Sequence, residues 1–356
     1  MEIDPKNAQL IGVYHNNFNT SNHSKNQGAL KHESKATKTG ANPSLHTEGS
    51  ILTTMNSVQT LNIKDSLDIS NITIFSLSNN KNTISLKTNK KYSYNKDYFD
   101  ELYQNLLLDE HKFYQRINSN YMSFQKYINY KMRAILVDWL IDVHFQFDMK
   151  KKTLFQCVFI IDAYLSKVII ERKNFQLLGL AALFIACKEN EITYPPLKSF
   201  IALSENLYTL EELINMEIKV IKKLDFDILS PTAEEFFGIN ADNFEFTEKQ
   251  RFFGEYILDA SLIDYNLLKY KQSTIAVACG YIVIKFFNLN GVNQIINNTY
   301  SDIKPKEVKD CARDLCYLVK NLSKSSLVAT KNKYISNKYM SVAQLCEDNW
   351  DVYNNM

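Results

Sequence analysis

The sequence predicts an all-α protein: two helical bundles, preceded by a leading helix and a long amino-terminal segment. Three observations carry this. Gly and Pro number only 9 and 6 in 356 residues, which argues against a turn-rich β architecture. Apolar residues recur at helical spacing from about Tyr94 onward. Two almost wholly apolar runs, Ala181 to Lys188 and Ala278 to Lys285, echo each other in character, each holding small residues and ending in Lys. Small residues let neighbouring helices approach on several sides, so each run suits the centre of a bundle.

Residues 1–92 are rich in Asn, Ser, Thr and Lys with no sustained period. Such a segment buries too little apolar surface to offset its ordering entropy, and it is expected to be disordered. A short strand-like piece is expected only near Ile72-Thr73-Ile74-Phe75. Tyr98, Leu102, Tyr103 and Leu106 set the leading helix, up to about Gln115, before a loop holding Asn118, Ser119 and Asn120. Helices are then expected over about 128–147, 153–170 with Thr153 as N-cap, and 174–189. Tyr194-Pro195-Pro196 stops helical structure. A short helix near 197–203 precedes one over 209–224 with a Thr cap. Ser230-Pro231-Thr232 reads as a boundary, followed by helices over about 232–239, 247–263, 273–288 and 304–322. The chain past about Tyr339 is expected to be loosely tied. The expected domains are therefore 93–229 and 230–345, with tails at 1–92 and 346–356.

Composition excludes several function classes. The net charge is +2, unlike a strongly basic nucleic-acid binder. The six cysteines (157, 187, 279, 311, 316 and 346) mostly lie inside apolar helical runs, without a CxxC pair. They read as buried thiols of an intracellular protein, neither disulfides nor a zinc site. The amino terminus is no signal peptide, and charge breaks every apolar run before it could span a bilayer. No Gly-rich phosphate loop, metal-ligand spacing or nucleophile elbow is present, and four of six histidines lie before residue 92. The reading is a non-enzyme without metal or cofactor.

The segment from Met132 to Leu140 is the most informative. Met132, Ile135, Leu136 and Trp139 form one apolar stripe; Ala134, Val137, Leu140 and Ile141 form another, roughly opposite. A surface helix ordinarily has one apolar face. Two faces mean full burial or a face kept for a partner. From the residues alone, Met132 and Trp139 read more simply as core.

This run resembles the hydrophobic-patch motif of the cyclins, regulatory subunits of protein kinases. Other segments match that family in order: Ile160-Ile161-Asp162, Gln176-Leu177-Leu178-Gly179, Ala186-Cys187-Lys188 with Tyr194-Pro195-Pro196, Met216-Glu217, and Leu224-Asp225-Phe226. Near the end, Lys331-Asn332-Lys333-Tyr334 and Lys338-Tyr339-Met340-Ser341 resemble the mitotic, B-type members. The resemblance spans about Tyr94 to Leu345 and implies two tandem five-helix cyclin-fold bundles after the leading helix.

The resemblance also implies roles. Arg133 and Asp162 would form an internal salt bridge, since opposite charges in apolar helices need each other. Leu177 matches a core position. Lys188 and Glu217 could be one more surface ion pair. The family reading has them jointly contacting the backbone of a cyclin-dependent protein kinase, with Ile185, Ile221, Phe226, Leu102 and Tyr98 adding apolar area. Met132, Ile135, Leu136 and Trp139 would form a docking groove for short Arg-x-Leu-type peptides of substrates or inhibitors. Asp142 would meet the peptide's Arg, and Arg172 and Gln176 would line the other wall. The implied function is a G2/M activator of such a kinase, in nucleus and cytoplasm, without direct nucleic-acid or membrane partners. The alternative is a nucleic-acid-associated transcription factor or transcriptional cyclin of the same fold.

The chain also departs from the family pattern. Ala163-Tyr164 stand where Arg-Phe is usual, Glu189 follows Lys188 where an aromatic or aliphatic residue is usual, and Thr193 reads as an extra residue. No Arg precedes Arg116, so residues 1–92 hold no Arg-x-x-Leu destruction box. Lys188-Glu189-Asn190 spells a KEN degron but closes an expected helix, so it reads as chance.

Overall fold

A computed structural model describes residues 96–290 and 303–348. The expected disorder over 1–92 and the strand-like piece at Ile72 to Phe75 lie outside the described residues. The all-α expectation holds: helices and short 3-10 turns make up the regular structure of the described residues.

Helix α1 (Lys96–Phe113) leads into the first bundle. That bundle comprises α2 (Tyr130–Gln146), α3 (Lys151–Leu165), α4 (Phe175–Asn190), α5 (Leu197–Ala202) and α6 (Leu210–Lys223). The second comprises α7 (Ala233–Asn243), α8 (Glu248–Ser261), α9 (Gln272–Phe286) and α10 (Pro305–Leu322), closed by α11 (Ala329–Ile335) and α12 (Val342–Asp348).

The two apolar echoes are the two central helices. In α4 every residue from Leu177 to Cys187 is buried, and in α9 every residue from Ser273 to Ile284. Around α4 pack α2, α3, α5 and α6; around α9 pack α7, α8 and α10. Small residues set the spacing. A Cβ at Gly179 would meet Leu136 Cδ1 at 2.9 Å, so a larger residue there would have to push the Leu136 side chain aside.

Helix starts are set by local chemistry. Asn129 accepts from the Met132 amide at 3.0 Å and begins α2. Thr209 with Glu212, Thr232 with Glu235 and Thr247 with Gln250 form capping boxes that begin α6, α7 and α8. The expected Thr153 cap is a correction. Helix α3 starts earlier, after Lys150, and the Thr153 hydroxyl instead donates to Glu191 at the end of α4.

The chain past Tyr339 is also corrected. Val342, Ala343 and Cys346 are buried, so ordered structure continues beyond residue 345. This ending packs between the bundles: α11 contacts both α2 and α8. Asp138 on α2 accepts from the Ala329 amide at 3.1 Å, at the start of α11. Lys333, fully buried, pairs with Asp259 of α8 at 2.6 Å, and the Tyr334 hydroxyl donates to the same carboxylate at 2.9 Å. The motif that resembles the mitotic members is therefore a strap across both bundles.

Candidate partner-binding surfaces

Arg133 and Asp162 meet inside the molecule. Nε donates to Oδ1 at 2.7 Å and Nη2 to Oδ2 at 2.6 Å, both side chains 1% exposed. Burial opposes the guanidinium charge, but Asp162 and the neighbouring Tyr121 outweigh it and raise the Arg133 pKa. Tyr121 OH donates to the same carboxylate at 2.7 Å. The third arm of Arg133, Nη1, donates to the Leu262 carbonyl at 2.9 Å. Arg133 thus satisfies its own bundle and reaches the end of α8 in the second. The pair organises the interior rather than a surface.

Lys188 and Glu217 come together at the solvent boundary, from the last turn of α4 and the middle of α6. Their side chains are 35% and 11% exposed. The Lys188 ammonium also lies 4.4 Å from the centroid of the Phe184 ring. Partial burial lowers the Lys188 pKa. A half-exposed pair of this kind is worth roughly 0–1 kcal/mol to folding. Three ammonium donors and a carboxylate at the rim can meet main-chain groups of another protein instead.

The apolar surroundings differ in part from expectation. Phe226 is 75% exposed, Leu102 on α1 is exposed and Ile221 is half-buried. The Tyr98 side chain lies outside the described residues. Ile185 is a correction: as part of the all-buried run of α4 it is 2% exposed, so it supports Lys188 from beneath and offers no contact area. Sequence reasoning missed Ile214 and Ile218, which are exposed on α6 together with Leu210. These three lie at i, i+4 and i+8, beside the buried face of Leu213, Met216 and Val220. A two-stripe signal like that of α2 was available here.

At the expected docking groove, Met132 and Ile135 are half-buried. Leu136 and Trp139 are corrected: at 0% and 1% exposure they belong to the interior. Helix α2 is enclosed by α4 on one side and by the strap helix α11 on another, and Leu136 presses on Gly179. The Trp139 indole N–H is buried and has no hydrogen-bond acceptor among the described residues. Asp142 is half-buried and accepts from Gln146 at 2.7 Å. Burial raises its pKa, and the Gln146 hydrogen bond opposes that rise. Arg172, in a 3-10 turn, and Gln176, on the first turn of α4, are both half-buried; Leu177 is buried.

His144 is the one histidine buried within a helix of the described residues. Its Nε2 donates to the Lys150 carbonyl at 3.0 Å, and Nδ1 is buried without a partner. Protonation would add a second N–H with nothing to accept it. Burial, with Lys333 and Lys151 nearby, lowers its pKa to about 4. No group of His, Cys, Asp and Glu able to hold a metal ion occurs among the described residues. No helix there is long and apolar enough to cross a membrane.

Comparisons with known proteins agree with this architecture. Residues 101–229 match the family model described as cyclin, N-terminal domain, and residues 232–348 match cyclin, C-terminal domain. The chain is 32% identical over 256 residues to the G2/mitotic-specific cyclin-B2 of Gallus gallus, covering 71% of this chain and 63% of that one. It is 32% identical over 231 residues to the G2/mitotic-specific cyclin-B of Dictyostelium discoideum, covering 65% of this chain and 53% of that one. It thus spans between half and two thirds of the length of these relatives. Among solved structures it is similar to a viral cyclin from herpesvirus saimiri, with TM-score 0.55 and 20% identity, covering 62% of this chain and 96% of that one.

Proposed function

This chain belongs to the cyclin family, and from that premise we propose that it binds and activates a cyclin-dependent Ser/Thr protein kinase in G2/M control. The relatives named as mitotic B-type cyclins support the assignment to that phase. The observation that carries the kinase reading is the Lys188–Glu217 pair set at a solvent boundary, with Phe226, Leu102, Ile214 and Ile218 left exposed. An apolar surface around a few polar anchors is the composition of a tight protein interface.

The chain contributes no catalytic group in this scheme. Its first bundle packs on the mobile C helix of the kinase and selects the conformation in which the kinase's own Lys–Glu pair forms and its activation segment is ordered. A rigid surface suits that task, because a partner that yields cannot favour one conformation over another. Bulk phosphorylation of histone by a monomeric mitotic-type kinase, with and without the purified chain, tests this. Stimulation is expected; a panel of such kinases left unstimulated would overturn it.

The docking function is proposed in a narrower form. Met132 and Ile135 offer partly exposed apolar surface, and Asp142 an acidic group on the same helix. An Arg-x-Leu-type peptide needs apolar area for its Leu and a carboxylate for its Arg. The proposed locations of action are nucleus and cytoplasm, where such kinases and their substrates meet.

A further inference from the structure

Phe226 is held out by backbone geometry. Helix α6 ends in two consecutive residues with left-handed backbone, Asp225 at φ 54° and Phe226 at φ 60°, neither of them glycine. Side chains other than glycine are disfavoured there. The turn is a Schellman arrangement: the Phe226 amide donates to the Ile221 carbonyl at 3.0 Å and the Asp225 amide to the Lys222 carbonyl at 3.2 Å. In that motif the residue at the Phe226 position ordinarily folds back onto the helix. Here it does not, being 75% exposed.

The segment just after the turn is what holds it. Three successive carbonyls are gripped there by side chains from distant elements. Arg116, in the 3-10 turn after α1, donates from Nη1 to the Asp227 carbonyl at 3.2 Å and to the Leu229 carbonyl at 3.4 Å. Its Nη2 pairs with the Asp227 carboxylate. Between them, Gln156 of α3 donates to the Ile228 carbonyl. The Arg116 side chain is 21% exposed, so it is a partly covered clamp and not a core residue. Only five arginines occur in the chain, and a guanidinium alone has the planar fork to reach two carbonyls and a carboxylate together.

We infer that Arg116 is a positioning residue for partner binding: it fixes the 227–229 segment so that Phe226 is presented to the kinase already in its bound orientation. This rests on the proposed kinase-binding role and specifies how one anchor of that surface is prepared. Preorganisation raises affinity by removing an ordering cost that would otherwise fall on the complex. It also ties the 3-10 turn after α1 to the segment that follows the Phe226 turn.

A double-mutant cycle on the full chain tests it, reading the dissociation constant for a purified monomeric cyclin-dependent kinase by calorimetry. Phe226→Ala is expected to weaken binding by about tenfold or more, as loss of an exposed aromatic anchor does. Arg116→Ala is expected to weaken it about fivefold in the parent but less than about twofold in the Phe226→Ala background, because coupled residues are not additive. Arg116→Lys, which keeps a cation for Asp227 but cannot fork to both carbonyls, is expected to fall between. It serves as the probe if Arg116→Ala does not fold. Equal penalties in the parent and Phe226→Ala backgrounds would overturn the inference and leave the kinase-binding reading standing. No loss from Phe226→Ala while kinase still binds would place the partner elsewhere and overturn both.

Discussion

Replacing Arg133 with Ala should be among the costliest single changes at the ion pairs of the described residues, where only Lys333–Asp259 is as deeply buried. The substitution removes two charge-assisted hydrogen bonds to Asp162, at 2.7 and 2.6 Å, and one to the Leu262 carbonyl at 2.9 Å. Asp162 keeps the Tyr121 hydroxyl as a donor but loses its countercharge. Breaking a buried pair by removing one partner costs roughly 3–5 kcal/mol. With a urea slope of about 2–3 kcal/mol per molar, that moves the unfolding midpoint down by about 1–2.5 M. Because Arg133 spans the two bundles, hydrogen exchange in α8 near Leu262 should accelerate along with α2 and α3. The double change Arg133→Met with Asp162→Leu should recover most of the loss, since well-packed apolar residues often replace a buried pair at little cost. A midpoint shift below about 0.3 M for Arg133→Ala, equivalent to under about 1 kcal/mol, would refute the reasoning.

Three other outcomes are expected. Lys188→Ala with Glu217→Ala should abolish kinase stimulation while changing stability by no more than about 1 kcal/mol, as for a partly exposed pair; a matching collapse of the thermal midpoint would instead make the pair structural. His144 has a folded pKa of about 4 against an ordinary 6.5, so its contribution is complete above about pH 6.5 and is lost as pH falls toward 4; by about pH 5 that loss is about 2 kcal/mol. His144→Phe should flatten this part of the urea-midpoint profile, and an unchanged slope between about pH 7 and pH 5 would count against the assignment. Met132→Ala with Ile135→Ala should weaken binding of a fluorescent Arg-x-Leu peptide several-fold without altering kinase activity on a short peptide substrate; unchanged anisotropy titrations would remove the groove.

The fold was legible because its determinants are local. A helical period, the Thr cap at 209 and two apolar runs each lie within a few turns of chain. The Arg133–Asp162 bridge was legible too, since two opposite charges in apolar helices leave few alternatives. What escaped depends on remote neighbours. Thr153 looked like a cap because its true partner, Glu191, is 38 residues away. The resemblance placed Leu136 and Trp139 in a groove, whereas Leu136 packs toward Gly179 of α4, and α2 is also covered by α11, nearly two hundred residues later, which nothing near α2 announces. Ile185 looked exposed because Lys188 is, although three residues along α4 the surroundings change from solvent to core. Ile214 and Ile218 could have been found from the second stripe of α6, and the grip of Arg116 on 227–229 could not, since its carbonyl partners carry no side-chain signature and its carboxylate partner, Asp227, is 111 residues away.

The contact of Asp138 with the Ala329 amide links residues 191 positions apart. A ribosome adding about 5–20 residues per second needs on the order of 10–40 s to cover that distance. During this interval the nascent first bundle is without its strap, and the face of α2 that α11 will cover is open to whatever is nearby. A holding factor that grips apolar helices would find its target in that window and lose it when the last helices emerge. A chain cut short before α11 should therefore leave that face of α2 uncovered and more open to proteolysis.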